Sequence, residues 1–326
     1  MKNNTLSRVS EHISPELDRF NQLFKSSLKS KTALVDLVTK YILKQKGKKI
    51  RPILVLLSAK LSGGITERSY RGAILVELLH TATLVHDDVV DSADTRRGFP
   101  SINAIWKGKV AVLLGDYLLA KGLMKAVEGE DFDFLKVTTD TVRRMSEGEL
   151  LQISKTRKLD TDEETYFKII SDKTASLLST CCEIGARSAT DDESKIAELR
   201  NFGENLGIAF QIQDDILDYT GSNKIIGKPS GGDIKEKKFT LPLLYALRNV
   251  DEKKASEIVK IIRKGAKRNG VKEVIDFVFE NGGIEYASQV ANEYVTKAGK
   301  NLEIFDNSET KSIMLELLNF IVHRNK

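Results

Sequence analysis

A long stretch without proline is the feature that most restricts how this chain of 326 residues can fold. Residues 101–228 contain no proline, which is the residue that most reliably breaks a helix, because it lacks a backbone donor. Within that stretch, apolar residues recur at spacings of three to four, as at Leu114 and Leu118. Alternating runs of period two, typical of strands, are scarce. The pattern predicts an all-α protein built from long helices.

Short stretches rich in glycine and charged residues interrupt the helical pattern, and we call them breaks. They divide the chain into segments of roughly 20–35 residues, which predicts about ten or more helices. The break at 155–164 contains Thr161 and Glu164, whose spacing predicts a capping box at the start of the next helix. The longest break, at 220–238, is rich in glycine and lysine, which favours a functional loop. No repeat or linker indicates a second domain, so residues 1–326 are expected to form a single domain.

Composition narrows the class of protein. No apolar run approaches the roughly 20 residues needed to span a bilayer, and the N-terminus lacks an apolar signal core, so a cytoplasmic location is expected. Fifty-one basic residues are interleaved with forty-six acidic ones, whereas nucleic-acid binding predicts a larger and more segregated excess. The two cysteines, Cys181 and Cys182, provide no disulfide framework and are expected to be reduced core residues.

The segment LVHDDVVDSADTRRG, residues 84–98, has aspartates at the end of an apolar helix. Two arginines follow them, so the side-chain charge changes from negative to positive. Because a helix turns about 100° per residue, Asp87 and Asp91 lie one turn apart on one face, with His80 on nearly the same stripe. Two carboxylates this close repel each other and favour a bound cation. Mg²⁺ takes oxygen ligands and usually shares them with substrate phosphates. The segment therefore predicts a magnesium site, and a solvated helix end is the alternative.

A second segment repeats this pattern. FGENLGIAFQIQDDILDYTG, residues 202–221, places Gln211, Asp214 and Asp218 on one helical stripe. Because two apolar helices each end in DDxxD, chance is a poor explanation of the pattern. The simplest arrangement has the two helices facing each other across a cavity, with metal ions held between them.

Cations beside the two aspartate segments predict a polyanionic ligand. Arginine offers phosphate bidentate donors, and lysine offers a mobile point charge. A lone lysine is by default a surface residue, but here the cations cluster beside the motifs, which favours a diphosphate site. The candidates are Lys48, Lys49, Arg51, Arg96, Arg97, Lys173, Lys228, Lys235, Lys237 and Lys238.

Six ordered motifs resemble those of the trans-polyprenyl diphosphate synthases: GKKIRP, HTATLVHDDVVDSADTRRG, MSEGELLQ, DKTASL, FQIQDDILD and KKFTLP. They extend over nearly the whole chain. The resemblance implies an all-helical fold around a deep central cavity, usually in a homodimer. It also implies Mg²⁺-dependent, repeated head-to-tail condensation of isopentenyl diphosphate onto an allylic diphosphate. The sequence departs from the family at Lys237, where glycine is common before the lysine of this motif, and at Lys49, where arginine is frequent.

The resemblance further implies roles for individual residues. Magnesium ligands are implied at Asp87, Asp91 and Asp214, with Asp88, Asp215 and Asp218 completing the metal site through water or as supporting groups. The isopentenyl diphosphate site is implied at Lys48, Arg51, His80 and Arg97. The allylic diphosphate site is implied at Arg96, Lys173, Lys228 and Lys238. Thr174 and Gln211 match positions near the reacting carbons.

Product length is expected to depend on the residues about one helical turn before the first aspartates. Ala82 and Thr83 are small, whereas members of the family with short products have bulky aromatic residues there. The resemblance therefore implies a long product of about C30–C40, as in a quinone side chain. Tight helix packing is the alternative reason for a small residue at Ala82. Because such a product is a lipid, transient membrane contact for its release is expected.

Three other functions are considered. A terpene cyclase shares the carboxylate chemistry but has no use for the second cationic set at Lys48, Arg51, His80 and Arg97. A non-catalytic regulatory subunit of a heteromeric synthase should have lost aspartates or arginines, and the motifs keep them. A synthase of shorter products, about C15–C20, differs only in the depth of its cavity.

Overall fold

Helices account for most of the structure, a computed structural model that describes residues 7–9, 11–45, 47–96, 98–221 and 231–322. Two predicted site residues, Arg97 and Lys228, lie outside the described residues. The helices are α1 Ser14–Ser27, α2 Ala33–Lys44, α3 Ile50–Ser62, α4 Glu67–Val90, α5 Ile102–Glu128, α6 Phe132–Lys158, α7 Glu163–Ile170, α8 Ser176–Arg187, α9 Glu193–Thr220, α10 Gly232–Lys235, α11 Leu241–Arg248, α12 Glu252–Arg263, α13 Arg268–Glu280, α14 Gly283–Asn301 and α15 Glu309–Val322. The predicted all-α class and the number of helices are confirmed.

Two short elements interrupt the helical pattern. Strands β1 Thr95–Arg96 and β2 Phe99–Pro100 pair antiparallel between α4 and α5. A π-helical turn, Ser171–Ala175, joins α7 directly to α8. Both interruptions lie next to residues predicted to form the site.

Side-chain caps fix where several helices begin. The Thr66 hydroxyl caps α4, and the Asp192 carboxylate caps α9. The capping box predicted at Thr161 is wrong, because Asp162 is the cap of α7 and accepts the backbone N–H of Thr165 at 2.8 Å. Asp162 follows Thr161 directly and is itself a strong N-cap former, so its carboxylate sets the helix start.

The two helices that carry the aspartate motifs are held by extensive packing. Helix α4 packs mainly against α5, and α9 packs mainly against α8 and α14. Their buried faces contribute fully enclosed side chains such as Leu79 and Phe202 to the main core. Burying each such side chain stabilises the fold by roughly 1.5–3 kcal/mol. The aspartates are therefore carried by rigid elements, which is a requirement for a precise site.

A second apolar cluster lies towards the C-terminal end, around Phe277 and Ile262. It surrounds α12 and α13 and also contacts Phe239, just after α10. Cys181 and Cys182 are both free and fully buried, as expected. In the part of the chain that the structure describes, no helix has the length and apolar character to cross a bilayer.

Candidate active site

The first aspartate motif lies at the C-terminal end of α4. Asp91 caps the helix, and its backbone N–H donates to the carbonyl of Asp87 at 2.8 Å. Burial raises the pKa of Asp87, an effect that the charge of Lys173 opposes. Glu149 and Asp91 raise this pKa further through their negative charge. Asp87 is thus placed where additional positive charge would stabilise its carboxylate.

The hairpin after α4 returns the chain onto the motif. Arg96 donates to the buried Asp88 carboxylate through Nε at 2.8 Å and Nη2 at 2.6 Å. The hairpin is anchored by Ser101, whose hydroxyl donates to the carbonyl of Ala93 at 2.6 Å. One reason for an arginine so soon after the aspartates is therefore local, because the positive charge of Arg96 neutralises the carboxylate of Asp88.

The second aspartate motif lies on α9. Asp215 is only 4% exposed and accepts two hydrogen bonds, from the Tyr166 hydroxyl at 2.6 Å and from Gln211 Nε2 at 2.9 Å. Burial, with the added charge of Asp233, nevertheless raises the pKa of Asp215 well above its usual value. Asp214 is half-buried beside it.

Asp218, one turn further along, connects the motif to the segment that follows. Its two carboxylate oxygens accept the backbone N–H groups of Gly232 and Asp233, each at 3.0 Å. Burial, followed by the charge of Asp218, raises the pKa of Asp233 to about 6. Asp218 therefore holds the first turn of α10 and places Asp233 among the aspartates of α9.

A cavity opens beside the second motif, and the predicted residues Lys173, Thr174, Gln211 and Lys238 all line it. Lys173 Nζ lies 2.5 Å from Glu149 Oε2 on α6. The Thr174 hydroxyl donates to Gln211 Oε1 at 3.0 Å. We call this space the first cavity. Cationic and polar side chains from α6, α9, α10 and the π-helical turn line it.

Lys238 joins the two motifs electrostatically. Burial alone would lower its pKa, but the charges of Glu236, Asp233 and Asp91 keep it above the usual value. Its predecessor Lys237 has φ of +60°, a left-handed conformation. Glycine adopts that conformation freely, whereas other residues do so at a cost of roughly 1 kcal/mol. The lysine at 237 therefore keeps the backbone turn that the family's glycine favours.

A second cavity opens at the first motif. It is lined by Lys48, His80, Asp88 and Arg96, together with apolar side chains such as Leu84. Arg51 Nη1 donates to His80 Nε2 at 2.9 Å, and both residues line a pocket that also contains Lys48. The predicted isopentenyl diphosphate residues Lys48, Arg51 and His80 are thus brought together. We call this space, together with the adjoining pocket that Arg51 lines, the second cavity.

Lys49, the other departure from the family, lines the second cavity together with its neighbour Lys48. Its backbone is left-handed, with φ of 51°, at the start of α3. Its amine donates to the side-chain oxygen of Asn21 on α1. Burial lowers the pKa of Lys49.

Three residues of the first cavity and its surroundings were missed in the sequence. Glu149 lies inside MSEGELLQ, a motif that carried no assigned role, and Asp233 lies in the loop where only lysines were noted. Tyr166 precedes the π-helical turn, and no sequence pattern distinguishes it. Each is recognisable only after folding places it against Lys173, Lys238 or Asp215.

The arrangement of carboxylates bears on metal binding. Among the described residues, no three or more Asp, Glu, His or Cys side chains converge closely enough to hold an ion alone. Asp87, Asp215 and Asp233 nevertheless have pKa values raised by burial, so a cation near them would be stabilising. Mg²⁺ commonly binds through one or two carboxylates plus substrate phosphates, and the residues fit that mode.

The two residues predicted to control product length lie about one helical turn before Asp87 on α4. Ala82 is only 2% exposed and belongs to the main core. Thr83 is half-buried, and its hydroxyl donates to the carbonyl of His80 at 2.9 Å.

Comparison with known proteins shows which family this site belongs to. The family model described as Polyprenyl synthetase matches residues 32–278, a range that contains both aspartate motifs. The chain belongs to the polyprenyl synthetase family. It is a prenyltransferase, as the motif resemblance predicted.

Relatives in the polyprenyl synthetase family cover this chain almost end to end. The octaprenyl diphosphate synthase of Haemophilus influenzae is 33% identical over 98% of both chains. A short chain isoprenyl diphosphate synthase of Methanothermobacter thermautotrophicus is 34% identical over 85% of this chain and 86% of its own. A polyprenyl synthase of Caulobacter crescentus, solved with calcium and isoprenyl diphosphate, superposes with a TM-score of 0.91, is 32% identical and covers 98% of both chains.

Proposed function

We propose that the chain joins isopentenyl diphosphate to an allylic diphosphate, head to tail and repeatedly, in a Mg²⁺-dependent reaction. The observation that carries this proposal is the presence of two cationic cavities, the first lined by Asp215 of the second motif and the second lined by Asp88 of the first motif. Asp87 interacts with Lys173 of the first cavity, whereas its neighbour Asp88 lines the second. Two such cavities suit a reaction that brings two diphosphates together.

The first cavity is assigned to the allylic diphosphate. Lys173 and Lys238 are placed to bind its phosphate oxygens. Arg96, which the resemblance assigned to this site, instead lines the second cavity beside Asp88, and Lys228 lies outside the described residues. Asp87, Asp91 and Asp214 are assigned as ligands of Mg²⁺, with Asp218 as support. When bound, Mg²⁺ supplies positive charge that stabilises the departing diphosphate.

The chemistry requires charge stabilisation and exclusion of water. The allylic C–O bond breaks, and its electron pair leaves with the diphosphate, which Lys173 and Lys238 stabilise. The π electrons of isopentenyl diphosphate form the new C–C bond to the allylic cation. A proton then leaves the adjacent carbon, and the released diphosphate accepts it. The chain therefore does not need a dedicated side-chain base.

Two features of the first cavity suit an allylic cation. The proton of the Thr174 hydroxyl is donated to Gln211, so the oxygen has only lone pairs to offer. The Gln211 amide is oriented in turn by Asp215, which accepts from its Nε2. Apolar side chains of Ile170 and Phe239 also line the cavity and exclude water that would quench the cation.

The second cavity is assigned to isopentenyl diphosphate. Lys48, Arg51 and His80 are placed to bind its phosphates, and the predicted Arg97 lies outside the described residues. The hydrogen bond from Arg51 leaves His80 accepting at Nε2, which fixes the orientation of both side chains. A terpene cyclase, which ionises a single diphosphate, has no use for this second set.

The product is proposed to be an all-trans polyprenyl diphosphate of about C30–C40, destined for a quinone side chain. Small residues at Ala82 and Thr83 support the long chain. Sequence identity does not decide it, because the octaprenyl and short chain relatives match this chain at 33% and 34%. A product of about C15–C20 is therefore the alternative to be tested.

The test is condensation by the purified chain. Incubation with farnesyl diphosphate, isopentenyl diphosphate and Mg²⁺ should yield elongated prenyl diphosphates. A correctly folded protein that forms no product would instead favour a regulatory subunit of a heteromeric synthase. We place the reaction in the cytoplasm, in a chain that folds as one domain over residues 1–326, with transient membrane contact when the lipid product leaves.

We also propose that the chain is a homodimer in which α5 faces its counterpart. The inner face of α5 packs on α4, while its outer face exposes five large apolar side chains and continues to Phe132. The five are Ile105, Val112, Leu113, Met124 and Val127. Non-helical backbone at Lys107 separates Ile105 from the other four, which form an apolar stripe along the rest of α5. Such a stripe is the kind of surface that a second copy covers.

Replacing Leu113 by glutamate is expected to weaken this dimer at least tenfold, because it buries a charge within the stripe. Sedimentation velocity over a range of protein concentrations measures the effect. Ile304→Glu is the matched control, because Ile304 is similarly exposed (46%, against 60% for Leu113) but lies after α14. Equal behaviour of the two variants would show that α5 is not the interface.

A further inference from the structure

The π-helical turn at Ser171–Ala175 carries Lys173 and Thr174, two of the groups proposed to act on the allylic diphosphate. A π turn has one more residue than the α-helical turn it replaces, and such turns occur frequently at functional sites. Its irregular geometry must be held by its surroundings if the two side chains are to keep their direction. Contacts on the side of the turn away from the first cavity provide that support.

Arg144 on α6 makes most of these contacts. Its Nε donates to Asp172 Oδ1 at 2.8 Å, and its Nη2 donates to Ser171 Oγ at 2.9 Å. The same Nη2 donates to Glu204 Oε1 on α9, also at 2.9 Å. Ser171 Oγ in turn donates to that Glu204 oxygen at 2.5 Å. One guanidinium therefore joins α6, the π turn and α9.

The ion pairs of this network are partly enclosed and stay charged. Asp172 is 8% exposed, and Lys168 also donates to it, at 2.9 Å. Burial would raise the pKa of Asp172, but the hydrogen bonds from Arg144 and Lys168 hold it below the usual value. Burial would likewise lower the pKa of Arg144, and Glu204 and Asp172 together raise it.

Two glycines bring the same helices close to the turn. A Cβ on Gly148 of α6 would lie 3.0 Å from both the Asp172 Cβ and the Lys173 nitrogen. A Cβ on Gly207 of α9 would lie 2.5 Å from the Ala175 Cα. Arg144 is four residues before Gly148, one helical turn away, so the polar contacts and the close approach come from the same faces.

On the other side of the turn, the side chains reach the first cavity. Lys173 contacts Glu149 and Gln152 of α6, and Thr174 contacts Gln211 of α9. Lys173, Thr174, Gln152 and Gln211 line that cavity, whereas Arg144 does not. Arg144 therefore contacts the turn without being placed to touch substrate.

We propose that Arg144 is a positioning residue for the reaction: with Glu204, it clamps the π-helical turn so that Lys173 and Thr174 point into the first cavity. This inference rests on the proposed role of Lys173 and Thr174. Because the geometry of reacting groups is demanding, a displacement of about 1 Å can cost on the order of 10²-fold in rate. Arg144→Met keeps much of the side chain's bulk and removes its hydrogen bonds.

The test combines kinetics with local hydrogen exchange on the full chain. Arg144→Met should lower kcat by about 10-fold to 10²-fold and leave the KM for isopentenyl diphosphate nearly unchanged. In a double-mutant cycle, its effect should largely disappear in a Lys173→Ala background and persist in a Lys48→Ala background. Amides of residues 171–175 should exchange faster in Arg144→Met than in the unmodified protein.

Arg68→Met is the matched control. Arg68 also pairs with two acidic residues, Asp131 and Asp133, and is similarly exposed at 31% against 26% for Arg144. It lies away from the turn, so this variant should keep kcat and the exchange of residues 171–175. If it behaves like Arg144→Met, the loss reflects general destabilisation and the proposal is wrong.

The remaining outcomes separate this inference from the proposed function. The clamp would be overturned if the amides of residues 171–175 exchanged at the same rate in Arg144→Met as in the unmodified protein. It would also be overturned if the losses of kcat caused by Arg144→Met and Lys173→Ala simply multiplied in the double mutant. Full activity of Lys173→Ala alone would overturn the assignment of Lys173 to the allylic diphosphate. The exchange measurement would then still decide whether Arg144 holds the turn.

Discussion

Replacing Asp87 by asparagine is expected to lower kcat by about 10³-fold or more, because the charge that binds the metal–diphosphate complex is lost. Asparagine keeps the size of the side chain, so the fold should be unchanged. The half-buried position of Asp87 makes the loss large, since interactions in a partly desolvated site are poorly screened. Initial rates at saturating concentrations of both substrates and Mg²⁺ measure the effect.

Asp94→Asn provides the control for this prediction. Asp94 lies in the same acidic segment but is exposed and outside the DDxxD pattern. It should keep nearly full activity, because its side chain has no assigned role at either cavity. A similar loss in both variants would mean that the total charge of the segment, and not the placement of Asp87, supports the reaction.

Replacing Ala82 by phenylalanine is expected to shorten the product by roughly two or more isoprene units. Ala82 lies just over one helical turn before Asp87 and is buried in the main core. In the proposed role of Ala82, a phenyl ring there would take space from the growing chain. The first condensations should proceed at nearly the original rate, because the diphosphate sites are untouched. Mass spectrometry of the products measures their length.

A graded series tests whether size is the cause. Ala82→Val should shorten the product less than Ala82→Phe, and the melting temperature of each variant shows whether the core tolerates the added volume. Unchanged product length in a folded Ala82→Phe variant would remove Ala82 from the account. The small residue would then serve helix packing, the alternative considered from the sequence.

Much of the fold could be predicted because its signals are local. The proline-free stretch and the three-to-four spacing of apolar residues determine helices, and the predicted breaks at 155–164 and 220–238 contain the ends of α6 and α9, at residues 158 and 220. The start of α7 was wrong by one residue, because Thr161 and Asp162 both have capping side chains and the sequence does not say which one turns inward.

The charged residues of the candidate site that lie within the ordered motifs could be predicted from the sequence. Lys173, Thr174, Gln211 and Lys238 line one cavity, but none of the described residues of the first aspartate helix lines it. The partners of these residues were not predictable, because they come from distant parts of the chain. Arg144 reaches Glu204 across 60 residues, and Tyr166 reaches Asp215 across 49. No spacing rule connects residues that meet only through packing.

The π-helical turn shows the same limit. The sequence places Lys173 and Thr174 within an apolar helical pattern, which correctly locates them on a helix. The turn packs closely against Gly148 and Gly207 and accepts hydrogen bonds from Arg144. A propensity for regular helix contains no information about such tertiary contacts.

The most direct measurement of the central claim is the mass spectrum of products formed from farnesyl diphosphate and excess isopentenyl diphosphate with Mg²⁺. We expect a series that grows in five-carbon steps and ends at about C30–C40. A series ending at about C20 would contradict the long product while supporting the chemistry. No condensation by correctly folded protein would contradict the assignment of the two cavities to two diphosphate substrates.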